Sequence, residues 1–357
     1  MSIHSISLKN FKSIREANDI KLGAVNILIG ANGSGKSNLI SFFRFLKNIM
    51  NQNLQGYVAY HSGKADSFLY FGAKQSTFLE GRIEFLRINN VDANTYLFRL
   101  FPTQDSRLIF LGEMSGFENQ VPQDLRNFTG ERGFEESNLP EIRRKYFETF
   151  RIFHFHDTSA TASVKRFCNV NDNRFLYEDA GNLAAFLYRL IGEYPKHFNI
   201  IEKTIRSVAP FFNRFDLIPD STGNISLKWF EKGSDAYRDA HYLSDGTLRF
   251  ICLATLLLQP EPPATIIIDE PELGLHPFAI DKLAAIIRSA SVKMQIIIST
   301  QSIELLNNFE ADDVIVVEKK DNQTIFKRQS TESLSDWLKD YSIGDLWDKN
   351  VIGGRPQ

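Results

Sequence analysis

The stretch VNILIGANGSGKSNLI, residues 25–40, decides the fold. Its first five residues, Val25 to Ile29, are an apolar run closed by glycine, which predicts a short buried strand. The spacing of Leu39, Ile40, Phe43 and Leu46 from Ser37 to about Asn48 predicts a helix. Between them lies GANGSGKS, Gly30 to Ser37, which matches G-x-x-x-x-G-K-[ST] in the strand–loop–helix setting that a P-loop requires. Glycines at Gly30, Gly33 and Gly35 let backbone N–H groups approach phosphate oxygens, Asn32 and Ser34 complete the loop, and the helix N-terminus adds positive dipole. Lys36 is placed to reach the β- and γ-phosphates of a nucleotide, and the Ser37 hydroxyl to ligate Mg²⁺.

Working outward, the last third of the chain alternates strand and helix. TIIIDE is followed by a helix after Pro277, QIIIST by a helix after Ser302, and DVIVVE closes the series. Fully apolar strands in this alternation imply a parallel sheet covered on both faces. The two ends of the chain are therefore expected to build one α/β core, 1–50 with 241–357, and 51–240 to be a β-rich and helical insertion. Asp269 and Glu270 fall at the carboxyl end of TIIID, where open parallel sheets bind ligands. Asp269 suits a direct or water-mediated hold on Mg²⁺. Glu270 is placed as a general base for an attacking water, though an acidic strand end can also be plain solvated surface. Gln301, after the next strand, can touch a γ-phosphate or orient water, while Ser302 beside it suits a helix cap.

The insertion reads as short β-like runs, STFLEGRIEFLRI, ANTYLFRLF and SRLIFLGEM, and so as an antiparallel meander. Residues 129–148 are charged and are the segment expected to move. Residues 180–208 read as helix broken at Pro195, and 225–230 as strand. The chain has 357 residues, net charge −2 and two cysteines, Cys168 and Cys252. That excludes a disulfide framework and any global basic field for nucleic acid. No apolar run approaches the roughly 18 residues of a membrane span, and a cytoplasmic protein is expected.

One further corner stands out. In HYLSDGTLRFICLATLLL, residues 241–258, Ser244 is a good N-cap for a buried apolar helix, and the amides behind it form a second anion site. One nucleotide does not need two helix N-termini from the same subunit. The set GANGSGKS, LSDGT, IIIDEP, LGLHP and STQS, in this order, resembles the ABC-type ATPases of the SMC, RecF and OLD kind. It is closer still to a compact group of bacterial AAA-family ATPases, which share FHFHDTS (153–159), NLAAFLYRL (182–190), LSDGTLRF and LWDKNVIGGRP (346–356). The resemblance covers nearly the whole chain and implies a P-loop NTPase with an ABC-ATPase-like head: a mixed or parallel core sheet, an antiparallel β lobe and an inserted helical lobe. It implies ATP and Mg²⁺ as ligands and a dimer in which Ser244 and Gly246 bind the γ-phosphate held by the partner. By the same resemblance Lys12 and Ser13, in NFKS, lie near the nucleotide, and His276 lies on a loop crossing the dimer seam or caps the helix after Pro277. Asp157 takes the place near Mg²⁺ where relatives keep a glutamine, or belongs with His156 to a structural polar loop. Two residues depart from the wider pattern. Gln301 stands where a switch histidine is usual, which leaves the hydrolysis rate open, and Asp245 replaces the first signature glycine.

Four functions compete. The resemblance implies an ATP-gated homodimer or higher homo-oligomer, a slow ATPase, that acts as switch or scaffold for a separately encoded effector such as a nuclease, in antiphage defence. A RecF-like DNA clamp for repair or recombination would need cations, for which EIRRKYFETFR (141–151) and SVKRF (163–167) are the local candidates, or else solvated faces. An SMC-like tether needs sustained heptads, and the insertion carries none. A transporter motor is disfavoured by the signature and the large β-rich insertion. No D-x-D carboxylate set of a TOPRIM nuclease and no Cys/His metal spacing appears.

Overall fold

A computed structural model describes residues 2–86, 94–117, 120–122 and 132–355, with the side chain of Tyr146 excepted. It divides into two compact units, one of residues 1–150 and 310–357 and the other of 151–309.

In the first unit the P-loop strand Val25–Ile29 is wholly buried, as its unbroken apolar run requires. It pairs in parallel with Val314–Lys320, Ile27 facing Val314 and Ile29 facing Val316. Two remote stretches of chain thus share one sheet. The strand Val314–Lys320 continues into an antiparallel hairpin with Gln323–Arg328, which turns through left-handed Asp321 and Asn322. That hairpin makes the sheet mixed, and it bears on the P-loop below.

A separate antiparallel sheet has the order Ile14–Lys21, Ile3–Phe11, Leu79–Phe85, Thr95–Pro102 and Leu108–Gly116. The last three strands are the expected meander. Ile14–Lys21 has no alternation to read, because its buried residues Ile14, Ala17 and Ile20 fall three apart. A register shift between Ile6 and Leu8 of its neighbour, and the left-handed Asp19, reset the pleat midway. Of the charged stretch 129–148, residues 129–131 lie outside the described residues, and Glu141–Phe147 form a two-turn helix.

The phenylalanine richness, 30 residues in all, finds its use between the P-loop helix Lys36–Met50 and this sheet. Phe42 and Phe45 of the helix meet Phe11 at ring-centroid distances of 5.5 and 5.7 Å, and Phe45 meets Phe68 at 5.2 Å. Each of these rings is fully buried, a contribution of about 1.5–3 kcal/mol apiece. The helix is thereby fixed from behind while its N-terminus stays at the loop.

In the second unit Thr265–Asp269 and Gln295–Thr300 pair in parallel from Thr265 with Gln295 to Asp269 with Ser299, with Phe150–Phe153 on the far side of the former. Residues Thr265 to Ile268 and all of Gln295–Thr300 are buried, and exposure begins at Asp269. The helices Asp245–Leu258 and Pro277–Ala290 flank these strands in sequence. Leu183–Glu193 and Pro195–Val208 are two helices, separated at Pro195 as expected. A small antiparallel sheet of Phe212–Phe215, Lys228–Glu231 and Tyr237–Asp239 completes the unit. The helix after Ser302 is a single turn, Ile303–Leu306. Among the described residues no helix is long and apolar enough to cross a membrane.

Candidate nucleotide site

The P-loop helix begins without a side-chain cap. Gly35 precedes it at φ 112°, and its first turn holds no acidic residue. The amides of Gly33, Gly35 and Ser37 donate no hydrogen bond among the described residues. A helix that leaves its first amides undirected is an anion site. Lys36 is buried, and its Nζ donates to the carbonyls of Gly30 at 2.5 Å and Ala31 at 3.1 Å. Ser34 Oγ is buried and has no partner. Asn32 and Ser37 are exposed at the loop. Open amides, a buried ammonium resting on loop carbonyls and an orphan hydroxyl fit a triphosphate. Mg²⁺ in such sites takes one or two protein oxygens beside the phosphates, so the lack of any cluster of three His, Cys, Asp or Glu among the described residues does not count against it.

Two of the loop glycines have a reason the motif alone does not supply. A Cβ on Gly30 would lie 2.0 Å from the carbonyl oxygen of Val317, and one on Gly35 would lie 2.1 Å from Thr324 Oγ1. Both atoms belong to the hairpin 314–328, which roofs the loop. Thr324 Oγ1 also donates to the Ser34 carbonyl at 2.8 Å. It sits 2.6 Å from Ser13 Oγ, to which Asn38 donates at 2.6 Å. Ser13 is therefore tied to the P-loop helix through Asn38. Lys12, left-handed at φ 51° in the same turn, donates to Ser41 Oγ at 2.6 Å. Burial, and then the nearby Arg44, hold its ammonium below the ordinary lysine value.

In the second unit Asp269 and Glu270 stand half-buried at the end of their strand. Glu270 has φ 41°, a left-handed backbone rare outside glycine. Its N–H donates to the Ser299 carbonyl at 2.8 Å, and its Oε1 accepts from Gln301 Nε2 at 2.8 Å. The expected base and the switch residue are thus hydrogen-bonded. Strain of this kind costs about 1–3 kcal/mol and clusters at functional sites. Ser302 caps its turn by accepting from Leu305 N–H, so capping and the Gln301 contact coexist. His276 caps its helix, its Nδ1 accepting from Phe278 N–H at 3.3 Å. Asp157 is exposed and accepts from Ser159 N–H at 3.0 Å, and the Ser159 side chain and then its amide hold the carboxyl below the usual range. It is His156 whose Nε2 reaches the main-chain oxygen of Asp269, at 2.8 Å.

Ser244 is exposed and caps its helix, accepting from Thr247 N–H at 3.2 Å. Gly246 is glycine because the Gly274 carbonyl lies 2.3 Å from where its Cβ would be. Arg249, on the same helix, donates to the carbonyls of Phe155 at 3.0 Å and His156 at 3.2 Å. The signature corner, the loop after Asp269 and the His156 segment are therefore one packed piece.

Glu272 carries no mark in the sequence. Its Oε1 accepts from Thr300 Oγ1 at 2.5 Å, and its Oε2 is buried without a partner. Burial holds the carboxyl above the usual value, against the pull of Thr300 and the Glu272 and Gln301 amides. A carboxyl raised in the folded state keeps its proton better there than in the unfolded chain, so stability falls as pH rises from the unfolded through the folded value. Glu272→Gln is expected to remove that fall and to melt higher than the parent at about pH 7–8. Equal or lower melting temperatures there would refute the assignment.

A family model described as "AAA domain, putative AbiEii toxin, Type IV TA system" matches residues 25–307. The chain belongs to that family. Septu protein PtuA of Bacillus thuringiensis is 23% identical over 87% of this chain and 75% of its own length. The Old nuclease of Escherichia phage P2 is 32% identical over 33% of this chain, and the chromosome partition protein Smc of Methanocaldococcus jannaschii 35% over 22%. The chain covers only 22% of that nuclease and 8% of that Smc. An Smc head crystallised with the C-terminal winged-helix domain of ScpA superposes with TM-score 0.64 at 17% identity, over 94% of this chain and 100% of that one. An Smc head with an extended coiled coil, bound to the C-terminal domain of ScpA from Pyrococcus furiosus, gives 0.61 at 16% identity, over 95% and 99%. The fold of this AAA-domain protein is that of an SMC-type ABC-ATPase head, the α/β P-loop class expected from its motifs.

Proposed function

We propose that the protein binds ATP with Mg²⁺, hydrolyses it slowly, and closes as a homodimer around two nucleotides to act as a switch or scaffold for a separately encoded effector in antiphage defence. The observation that carries the nucleotide reading is the loop of Gly30 to Ser37, with three undirected amides around a buried Lys36. Gly33, Gly35 and Ser37 amides hold phosphate oxygens, Lys36 neutralises them, and Ser37 and Asp269 hold the metal. Mg²⁺, when bound, offsets the charge that develops on the phosphates. Glu270, its carboxylate oriented by Gln301, accepts the proton of the attacking water. Turnover is slow because so much of it is positioning that waits on closure.

The dimer reading rests on Ser244 and Gly246: an exposed cap on a 14-residue helix whose body is buried, a second helix N-terminus in a subunit whose own nucleotide needs only the P-loop. Ser244→Arg is expected to leave ATP affinity of the monomer within about twofold and to abolish ATP-driven dimerisation, at a cost in capping of about 1 kcal/mol. Size-exclusion chromatography with light scattering, with and without ATP·Mg²⁺, reads it. A variant that dimerises like its parent removes the cross-subunit assignment.

The defence reading is supported by the toxin–antitoxin wording of the family description and by the similarity to a phage Old nuclease and to PtuA. The DNA-clamp reading has less behind it. Arg143 donates to Ser115 Oγ, Arg144 to the Leu139 carbonyl, and Lys165 to the Thr158 carbonyl, while Lys145 pairs with Glu141. A pull-down with Glu270→Gln in ATP, with and without DNA, separates the two. A captured protein effector supports the scaffold, and DNA alone supports the clamp.

A further inference from the structure

The segment LWDKNVIGGR, residues 346–355, has no part in the chemistry described above, yet it lies against the P-loop. The Ala31 N–H donates to the Gly354 carbonyl at 2.7 Å. The same peptide unit carries the Gly30 carbonyl, which accepts from Lys36 Nζ at 2.5 Å. The Gly30–Ala31 peptide is therefore held at both ends, by the P-loop lysine on one side and by a residue more than three hundred positions away on the other.

The segment is built for that contact. Gly353 and Gly354 are left-handed at φ 85° and 83°. A Cβ on Gly354 would lie 2.7 Å from Val316 Cγ1 and 3.6 Å from Gly30 Cα, and one on Gly353 would lie 3.0 Å from Glu318 Oε2. Only glycine gives both the backbone conformation and the close approach. Upstream, Ser342 and Asp345 form a capping box on the short helix Ile343–Asp348. Ile343, Leu346, Trp347 and Ile352 are buried and anchor the segment. Arg355, paired with Asp348, lines a cleft of about 500 Å³ together with Asn32, Gly33 and Ser34.

We propose that Gly354 is a positioning residue for nucleotide binding: its carbonyl braces the Gly30–Ala31 peptide so that the loop keeps its open shape when Lys36 leaves those carbonyls for a phosphate. The proposal rests on the nucleotide reading above. Without the brace, the freed peptide can turn its carbonyl toward the phosphate and repel it. The cost falls on binding, not on the chemical step, which uses Glu270.

Gly354→Ala is expected to raise the KM and Kd for ATP·Mg²⁺ about tenfold, the worth of one hydrogen bond and its geometry. Its kcat at saturating ATP should stay within about twofold, while its nucleotide-free melting temperature falls, because alanine is strained at φ 83° and meets Val316; a merely structural glycine would lower stability in the same way but leave the affinity of the folded fraction alone. Calorimetric titration with ATP·Mg²⁺ and steady-state hydrolysis read both. If the parent protein does not bind ATP, the nucleotide reading fails. If the parent binds and Gly354→Ala binds equally well, the brace fails. Should the variant not fold, amide exchange in the parent decides. The Ala31 N–H is expected to be protected, with and without ATP, while Gly33 N–H exchanges freely in its absence; equal exchange at both overturns the proposal.

Discussion

Lys36→Ala is expected to lower ATP affinity by at least about a hundredfold. A charge-assisted hydrogen bond to phosphate contributes about 1.5–3 kcal/mol, and an ammonium between the β- and γ-phosphates makes more than one. Each 1.4 kcal/mol is tenfold. The side chain also has a second task in this structure, because it is the donor to the Gly30 and Ala31 carbonyls. Loss of binding must therefore be separated from loss of the loop. The aromatic packing behind the helix, Phe42 and Phe45 on Phe11 and Phe68, is made by residues outside the loop and should keep the variant folded. A melting temperature within a few degrees of the parent, with no titratable ATP binding, is the expected pair of results. An affinity within about threefold of the parent would mean that phosphate is bound elsewhere.

The second large effect is at Glu270. Glu270→Gln is expected to bind ATP as the parent does and to hydrolyse it about 10²- to 10⁴-fold more slowly, the usual worth of a positioned general base. The structure makes this a clean substitution. The amide oxygen can still accept from Gln301 Nε2, and the backbone N–H still donates to Ser299. The strained φ of 41° is supported by those contacts and not by the charge. What is lost is the proton acceptor alone. With turnover blocked, ATP-driven dimers should accumulate, and Ser244→Arg in the same chain should prevent them. A Glu270→Gln protein that turns over at the parental rate would move the base elsewhere, with Glu272 as the nearest carboxylate in sequence after the metal-holding Asp269.

Much of this site is legible in the sequence. GANGSGKS between an apolar strand and an amphipathic helix is a local pattern, and local pattern fixes local geometry. The parallel pairing of TIIID with QIIIST follows from two unbroken apolar runs separated by one helix. Ser244 and Ser302 are where their caps had to be, because a helix N-terminus needs an acceptor at that position. Even the pairing of the chain's remote stretches is implied, since a lone P-loop strand cannot bury both its faces.

What the sequence could not carry are contacts between residues far apart along the chain. Nothing local says that Gly35 is glycine because Thr324 sits on it, that Gly246 yields to the Gly274 carbonyl, or that His156 and not Asp157 touches Asp269. The strand Ile14–Lys21 is hidden because a bulge breaks its alternation. The Glu272 carboxyl gains its raised proton affinity only when tertiary packing buries it beside Thr300. By itself the sequence determined the P-loop, the strand ends and the caps, since these depend on propensity and spacing over a few residues. The tertiary structure alone decided which remote backbone closes on the loop, because a hydrogen bond such as Ala31 to Gly354 exists only after burial has brought its two ends together.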